Sequence, residues 1–201
     1  MDLSDLLDEG LAHGFPSFTL HIVFPNGETW EGASGFADLE KKRKITPSLS
    51  LPIASITKPF VTVIVLRLIE DGHLSLDQTL DTLLREVVSQ VPNAGEITVE
   101  HLLAHTSGIF DYAKSSDYLS QLVGPEFRPD RRWTIEDYLD FVTGNEPTHS
   151  PGSQYSYSNT NYILLGLIVE KVTGQSFENT LREMLLRPLA MSDTFNTRHE
   201  N

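Results

Sequence analysis

The chain has 201 residues, 39% hydrophobic and 21% charged, an ordinary globular composition with enough length to bury a core in one domain. Its formal net charge of −13 excludes a nucleic-acid surface, because holding a polyanion needs clustered Lys and Arg. The absence of cysteine excludes disulfides, thiolate catalysis and Cys-ligated metals, and no apolar run reaches membrane-spanning length.

The start, Met1-Asp2-Leu3-Ser4-Asp5, lacks the basic-then-apolar pattern of a signal peptide, so the chain as written reads as soluble and untargeted, with its native compartment left open. Residues 4–13 read as a short amphipathic helix capped by Ser4, with Leu6, Leu7 and Leu11 on one side. Two strand-like runs follow, within residues 17–37, around Pro25-Asn26-Gly27-Glu28. Asn-Gly takes the positive φ angles of a tight turn, which predicts a β-hairpin. Gly32 and Gly35 suggest a bulge or a close backbone approach in the second strand. The basic run Lys41-Lys42-Arg43-Lys44 beside Glu40 reads as a solvated connection rather than a phosphate track.

From residue 55 the period changes. Val61, Ile64, Val65, Leu68 and Ile69 recur at helical spacing until Asp71-Gly72, which predicts a helix over about 55–71 with Pro59 tolerated in its first turn. Short helices are predicted around 78–86, around 99–105 with Thr98 as cap, and around 135–142 with Thr134 as cap. A longer helix carries Tyr162, Leu165, Ile168, Val169 and Val172 and stops at Gly174. A last one, capped by Ser176, ends at Pro188. A hairpin followed by helices is an α+β order. Two strands alone are marginal in water, so something must complete the sheet, and the sequence holds no obvious candidate.

The chemistry concentrates in two places. Ser55 and Lys58, three apart at a predicted helix start, face the same way and can touch. A serine hydroxyl is a weak nucleophile; a lysine deprotonates it only if burial or positive charge lowers the lysine pKa, and Leu51 to Ala54 with Phe60-Val61 would supply an apolar setting. The serine's own N–H, in the first helical turn, can stabilise an oxyanion. Alone, Ser-x-x-Lys more often means a cap serine and a surface lysine. Tyr157-Ser158-Asn159, after Pro151-Gly152 and before a helix, adds a phenol able to move protons and a carboxamide able to hold a substrate carbonyl and orient the lysine. The structural alternative for that segment is a helix-capping turn.

Four segments carry a resemblance: Ile53-Ala-Ser55-Ile-Thr-Lys58-Pro-Phe60, His101-Leu-Leu-Ala-His105-Thr-Ser-Gly108, Pro151-Gly-Ser-Gln-Tyr155-Ser-Tyr157-Ser-Asn159 and Pro188-Leu-Ala-Met191-Ser-Asp-Thr194. In order and spacing the chain resembles the beta-lactamase-related serine hydrolases, which include class C beta-lactamases, D-alanyl-D-alanine carboxypeptidases, D-aminopeptidases and beta-lactamase-like esterases. The resemblance implies Ser55 as acyl-forming nucleophile, Lys58 as its base, Tyr157 as proton shuttle and Asn159 as a substrate-amide contact, with no cofactor. It implies a transpeptidase-like antiparallel sheet flanked by helices, a helical lobe over roughly 75–160, returning helices over about 160–187 and an active site between sheet and lobe. Asp111 and Tyr112 are expected on the cleft rim, with Tyr112 as a substrate contact.

The family's third motif, Lys-Thr-Gly or His-x-Gly on a late strand, has one superficial match, Lys171-Val-Thr-Gly174, whose Gly is better read as a helix stop. The resemblance therefore implies a single incomplete domain over 1–201 that lacks its carboxy-terminal strands. His101 and His105 have the spacing of a zinc half-site, but Leu102 stands where a zinc protease carries glutamate and no third ligand is evident, so no metal is expected. No Gly-x-Ser-x-Gly elbow supports a Ser-His-Asp triad. Two functions follow: a hydrolase of a small acyl substrate (an ester, a beta-lactam or a D-amino-acid amide), or a catalytically silent piece, either a truncated domain or a partner-binding fragment completed by strands of another chain, as a homodimer or by strand exchange. Neither involves nucleic acid or membrane.

Overall fold

A left-handed glycine closes the amino-terminal hairpin. In the computed structural model, which describes residues 3–124, 127–128 and 131–196, β1 (Ser17–Val23) and β2 (Thr29–Asp38) pair antiparallel from Ser17↔Gly35 to Val23↔Thr29. Met1, Asp2 and residues 197–201 of the predicted domain lie outside the described residues. The turn is looser than the Asn-Gly pair predicts. Gly27 takes φ +84°, whereas Asn26 stays out of the left-handed region and uses its side chain to accept from Glu28 N at 3.0 Å.

The chain divides into two compact units, residues 1–52 and 53–201. In the first, α1 (Leu3–Ala12) packs on the hairpin through Leu7 and Gly10, where a Cβ would stand 2.4 Å from the Phe18 ring. That choice of face leaves Leu6 45% exposed, and because the helix starts at Leu3, Ser4 lies within it rather than capping it. Gly35 meets the expectation of a close approach: at φ +97° its Cβ would sit 2.3 Å from Pro16 O. The basic run is more than a connection. Arg43–Lys44 forms β3, exposed and paired with β2 across a bulge, after a turn in which Lys42 takes φ +53°. The order is β1-β2-β3, so β1 has one strand partner among the described residues.

The second unit is helical. Its core joins α2 (Thr57–Glu70), α4 (Val99–Leu103) and α7 (Asn159–Thr173) through Ile64, Val65, Leu102, Leu164, Leu165 and Ile168, each fully buried. The sequence period identifies this face because side chains three and four apart share one stripe. Helix α2 ends as Asp71-Gly72 requires: Gly72 takes φ +75° and His73 N bonds back to Leu68 O at 2.9 Å. Thr98 caps α4 and Thr134 caps α6 (Ile135–Asp140), each in a reciprocal box, with His101 and Asp137 as third residues.

Between them lie α3 (Leu80–Leu83) and α5 (Ser116–Val123), the latter capped by Ser115 and not anticipated, since it is short and buries none of its residues. Ser176 caps α8 (Phe177–Leu181), which widens into a π-turn over Arg182–Leu186 ahead of Pro188. Among the described residues no helix is long and apolar enough to cross a membrane.

Candidate active site

Ser55 does not sit on α2 itself. It occupies a 3₁₀ turn, Ala54–Ile56, that runs into the helix, and the preceding Ala54 is held at φ +45°. A non-glycine residue in that region costs of the order of 1–3 kcal/mol and persists only where the surroundings impose it. The turn lifts Ser55 into solvent while Lys58, one turn on, is half-buried. Ser55 N precedes the first turn bond, Ile56 N to Ile53 O at 3.0 Å, so it belongs to the N–H groups that a helix start leaves without an intrahelical acceptor.

Tyr157 and Asn159 are placed by a second route. The segment before α7 is laced to the stretch after α4 by Gly152 N to Thr106 O, Ser156 N to His105 O and Thr148 N to Gly108 O, all at 2.8 Å. Ser158 N donates to His105 Nδ1 at 3.3 Å, and Thr160 Oγ1 donates to Phe110 O at 2.7 Å. These bonds join the two segments into one ledge.

The ledge meets the 3₁₀ turn in a continuous set of polar contacts. Tyr157 OH lies 2.9 Å from Ser55 Oγ and donates to Asn159 Oδ1 at 3.3 Å; Lys58 Nζ donates to Asn159 Oδ1 at 2.8 Å and to Ser55 Oγ at 3.5 Å. The ammonium also stands 4.9 Å from the Tyr157 ring centroid and 5.4 Å from that of Tyr162. Burial pushes the Tyr157 phenol up, but hydrogen bonding with Lys58 and Ser55, together with the Lys58 charge, more than offsets it and leaves the phenol below its ordinary range. A hydroxyl, an amine and an acidified phenol within contact distance can hand a proton from one to the next.

The lysine's setting differs from the one its sequence neighbours suggest. Leu51 and Ile53 are 46% and 41% exposed, and what surrounds the ammonium is the Asn159 carboxamide and two phenol rings. Tyr112 stands with Lys58, Val61, Asn159 and Tyr162 in the wall of a cleft of about 210 Å³. Its phenol is pushed up by burial and by the neighbouring Tyr138 and Tyr118 phenols, so it faces the cleft as a neutral donor. Asp111 is not on the rim. It is 5% exposed, beneath Asn159, and accepts from the Asn159 side-chain amide at 3.1 and 3.3 Å and from Asn159 N at 3.1 Å.

His105 lies under the ledge, 8% exposed, with ring centroids 4.5 Å from Tyr157 and 5.2 Å from Tyr162. Neither its burial nor its contact with Tyr157 has a local sequence signal beyond its place in the His-Thr-Ser-Gly stretch. His101 Nδ1 accepts from Thr98 N at 3.3 Å in the α4 cap. Gly174, at φ +66°, is the αL stop of α7, and Lys171 pairs with Glu86 at 3.6 Å, away from Ser55.

The protein flp of Staphylococcus aureus is 30% identical over 194 residues, 96% of this chain and 37% of flp, and Esterase EstB of Burkholderia gladioli is 31% identical over 177 residues, 86% of this chain and 45% of EstB. Among solved structures, the D-amino acid amidase of Ochrobactrum anthropi SV3, complexed with L-phenylalanine, superposes with a TM-score of 0.81 at 30% identity, covering 98% of this chain and 52% of the amidase. The octameric penicillin-binding protein homologue of Pyrococcus abyssi superposes at 0.77 with 29% identity, covering 96% of this chain and 44% of that one. The chain thus spans about half the length, or less, of the relatives it matches, and it shares their α+β, beta-lactamase/transpeptidase-like fold. The Beta-lactamase family model matches residues 3–201, and the chain belongs to that family of hydrolases, whose members include an amidase and an esterase.

Proposed function

We propose that this chain carries the nucleophile, base and proton shuttle of a serine hydrolase that works through an acyl-enzyme. Lys58, in its free-amine form, takes the proton of Ser55 as Oγ attacks a substrate carbonyl and so becomes the ammonium held by Asn159, while the Ser55 N–H faces the oxyanion that forms. Tyr157, bonded to Ser55 Oγ, relays that proton to the departing alcohol or amine; water then attacks the acyl-serine, and the proton it loses returns the site to its starting state. Asn159 holds the lysine from the far side. The observation that carries this reading is the unbroken polar circuit Ser55–Tyr157–Asn159–Lys58, with successive contacts of 2.9, 3.3, 2.8 and 3.5 Å.

The substrate is a small acyl compound, an ester, a beta-lactam or a D-amino-acid amide. Support comes from the amidase, one of whose structures holds L-phenylalanine amide, and from the esterase relative. Tyr112 belongs to the substrate side, because it shares the cleft wall with Lys58 and Asn159.

A fluorophosphonate probe tests the reading. It should add its mass to Ser55 in the folded protein and leave Ser55→Ala unmodified; equal labelling of both, or none of either, would reject it.

The β1 edge, unpaired among the described residues, and the coverage of about half of the amidase and of the penicillin-binding protein homologue favour a second reading, in which the sheet is completed by strands of another chain, as a homodimer or by strand exchange. Light scattering with labelling across a dilution series separates the two: labelling that disappears as a dimer dissociates assigns activity to the assembly, and labelling of a monomer assigns it to the single chain.

A further inference from the structure

We propose that Asp111 is a positioning residue: it fixes which way the Asn159 carboxamide faces and, through it, where the Lys58 ammonium stands beside Ser55. The inference deepens the acyl-enzyme reading and rests on it for its catalytic meaning.

A carboxamide is nearly symmetric in shape, so its partners decide which end carries oxygen. Here they decide it strongly. Both Asp111 oxygens lie on the Asn159 Nδ2 side, at 3.1 and 3.3 Å, and an ionised carboxylate only accepts. Asn159 Oδ1 is thereby turned to Lys58 Nζ at 2.8 Å and to Tyr157 OH at 3.3 Å. Rotating the amide by half a turn would set its oxygen against a carboxylate and its NH₂ against an ammonium, replacing two attractions with two repulsions. Asp111 thus reads out at Lys58 without touching it. The chain carboxylate, amide, ammonium also polarises in one sense, which strengthens each link.

Asp111 is itself held. At 5% exposure its charge needs partners, and the donors are the Asn159 side chain, Asn159 N at 3.1 Å and Ala113 N at 3.2 Å. Asn159 is the first residue of α7, whose cap Ser158 makes no side-chain cap bond, so the carboxylate also occupies the electropositive end of that helix. One buried group therefore anchors the helix start and orients its first side chain. The arrangement ties the loop after α4, which carries Asp111, to the chemistry at α2.

The test combines labelling rates with a readout independent of activity. In the full chain, Asp111→Asn keeps the shape and removes the charge. It should slow fluorophosphonate labelling of Ser55 by about 100-fold, the scale expected when a reacting group is misplaced by around 1 Å. In an Asn159→Ala background Asp111→Asn should change the rate no further, because no carboxamide remains to be oriented; equal slowing in both backgrounds would overturn the proposal. In the unsubstituted protein, NMR should show the Asn159 side-chain amide protons exchanging slowly with water, and Asp111→Asn should accelerate that exchange. Solvent-fast exchange in the unsubstituted protein would also overturn it. Absence of any labelling of Ser55 in that protein would remove the acyl-enzyme reading, while the exchange measurement still decides whether Asp111 holds Asn159.

Discussion

The imidazole of His105 lies against the phenol of Tyr157, ring centroids 4.5 Å apart and planes inclined by 32°. The ring is neutral there. Ser158 N donates to Nδ1, which must carry a lone pair rather than a proton, and burial followed by the nearby Lys58 charge lowers the His105 pKa, against a smaller opposing pull from Asp111. The proton shuttle is thus seated on an uncharged aromatic floor.

That floor makes stability pH-dependent. A histidine whose folded pKa is depressed binds fewer protons than the unfolded chain as pH falls below about 6.5, so its contribution favours unfolding from there down to the folded value. The melting temperature should fall between pH 7 and pH 5.5, and His105→Asn should lose part of that slope. NMR titration should place His105 below the ordinary histidine range; an unshifted resonance would refute the assignment.

Tyr157→Phe keeps the ring on His105 and removes the hydroxyl. Turnover of an activated ester should fall by roughly 10²–10⁴, the usual contribution of general acid–base transfer, while the melting temperature changes little. The unsubstituted protein, with its 6 tyrosines, should show one phenol ionising before the others in an ultraviolet titration. The early phase should vanish in Tyr157→Phe.

Lys58→Arg should be no rescue of Lys58→Met. A guanidinium keeps its charge and can satisfy Asn159, but it cannot give up a proton to act as base. Both variants should label at Ser55 at least 100-fold more slowly than the unsubstituted protein, with activity-probe gels as the measurement.

The registry of α2 against α7 is held by core side chains. Ile64→Ala or Leu164→Ala, each fully buried, should cost about 2–5 kcal/mol in denaturant unfolding. Substituting Phe for Tyr118, on the half-buried aromatic cluster with Trp133 and Phe141, should cost much less.

Gly108→Ala tests the ledge. Gly108 takes φ +74°, and an added Cβ would stand 2.0 Å from His149 O. Substitution should lower stability by more than about 1 kcal/mol and slow labelling, since the bonds that carry Tyr157 and Asp111 start from this stretch. An unchanged melting curve would show that the ledge tolerates displacement.

Much of this was legible in the residues alone. The stripe Val61-Ile64-Val65-Leu68 gave α2 its buried face, Thr98, Thr134 and Ser176 marked helix starts, Gly72 and Gly174 marked stops, and the Ser55–Lys58 spacing set those side chains one turn apart. Each of these depends on hydrogen bonds and contacts between residues a few positions apart, where periodicity and turn chemistry act. The rest depends on partners far away in the chain. That Lys58 meets Asn159, that Asp111 sits buried beneath that amide, and that His105 carries Tyr157 are pairings across 101, 48 and 52 positions. No local pattern encodes such a pairing, because it exists only once the apolar faces of α2, α4 and α7 have closed on one another and brought their polar ends together.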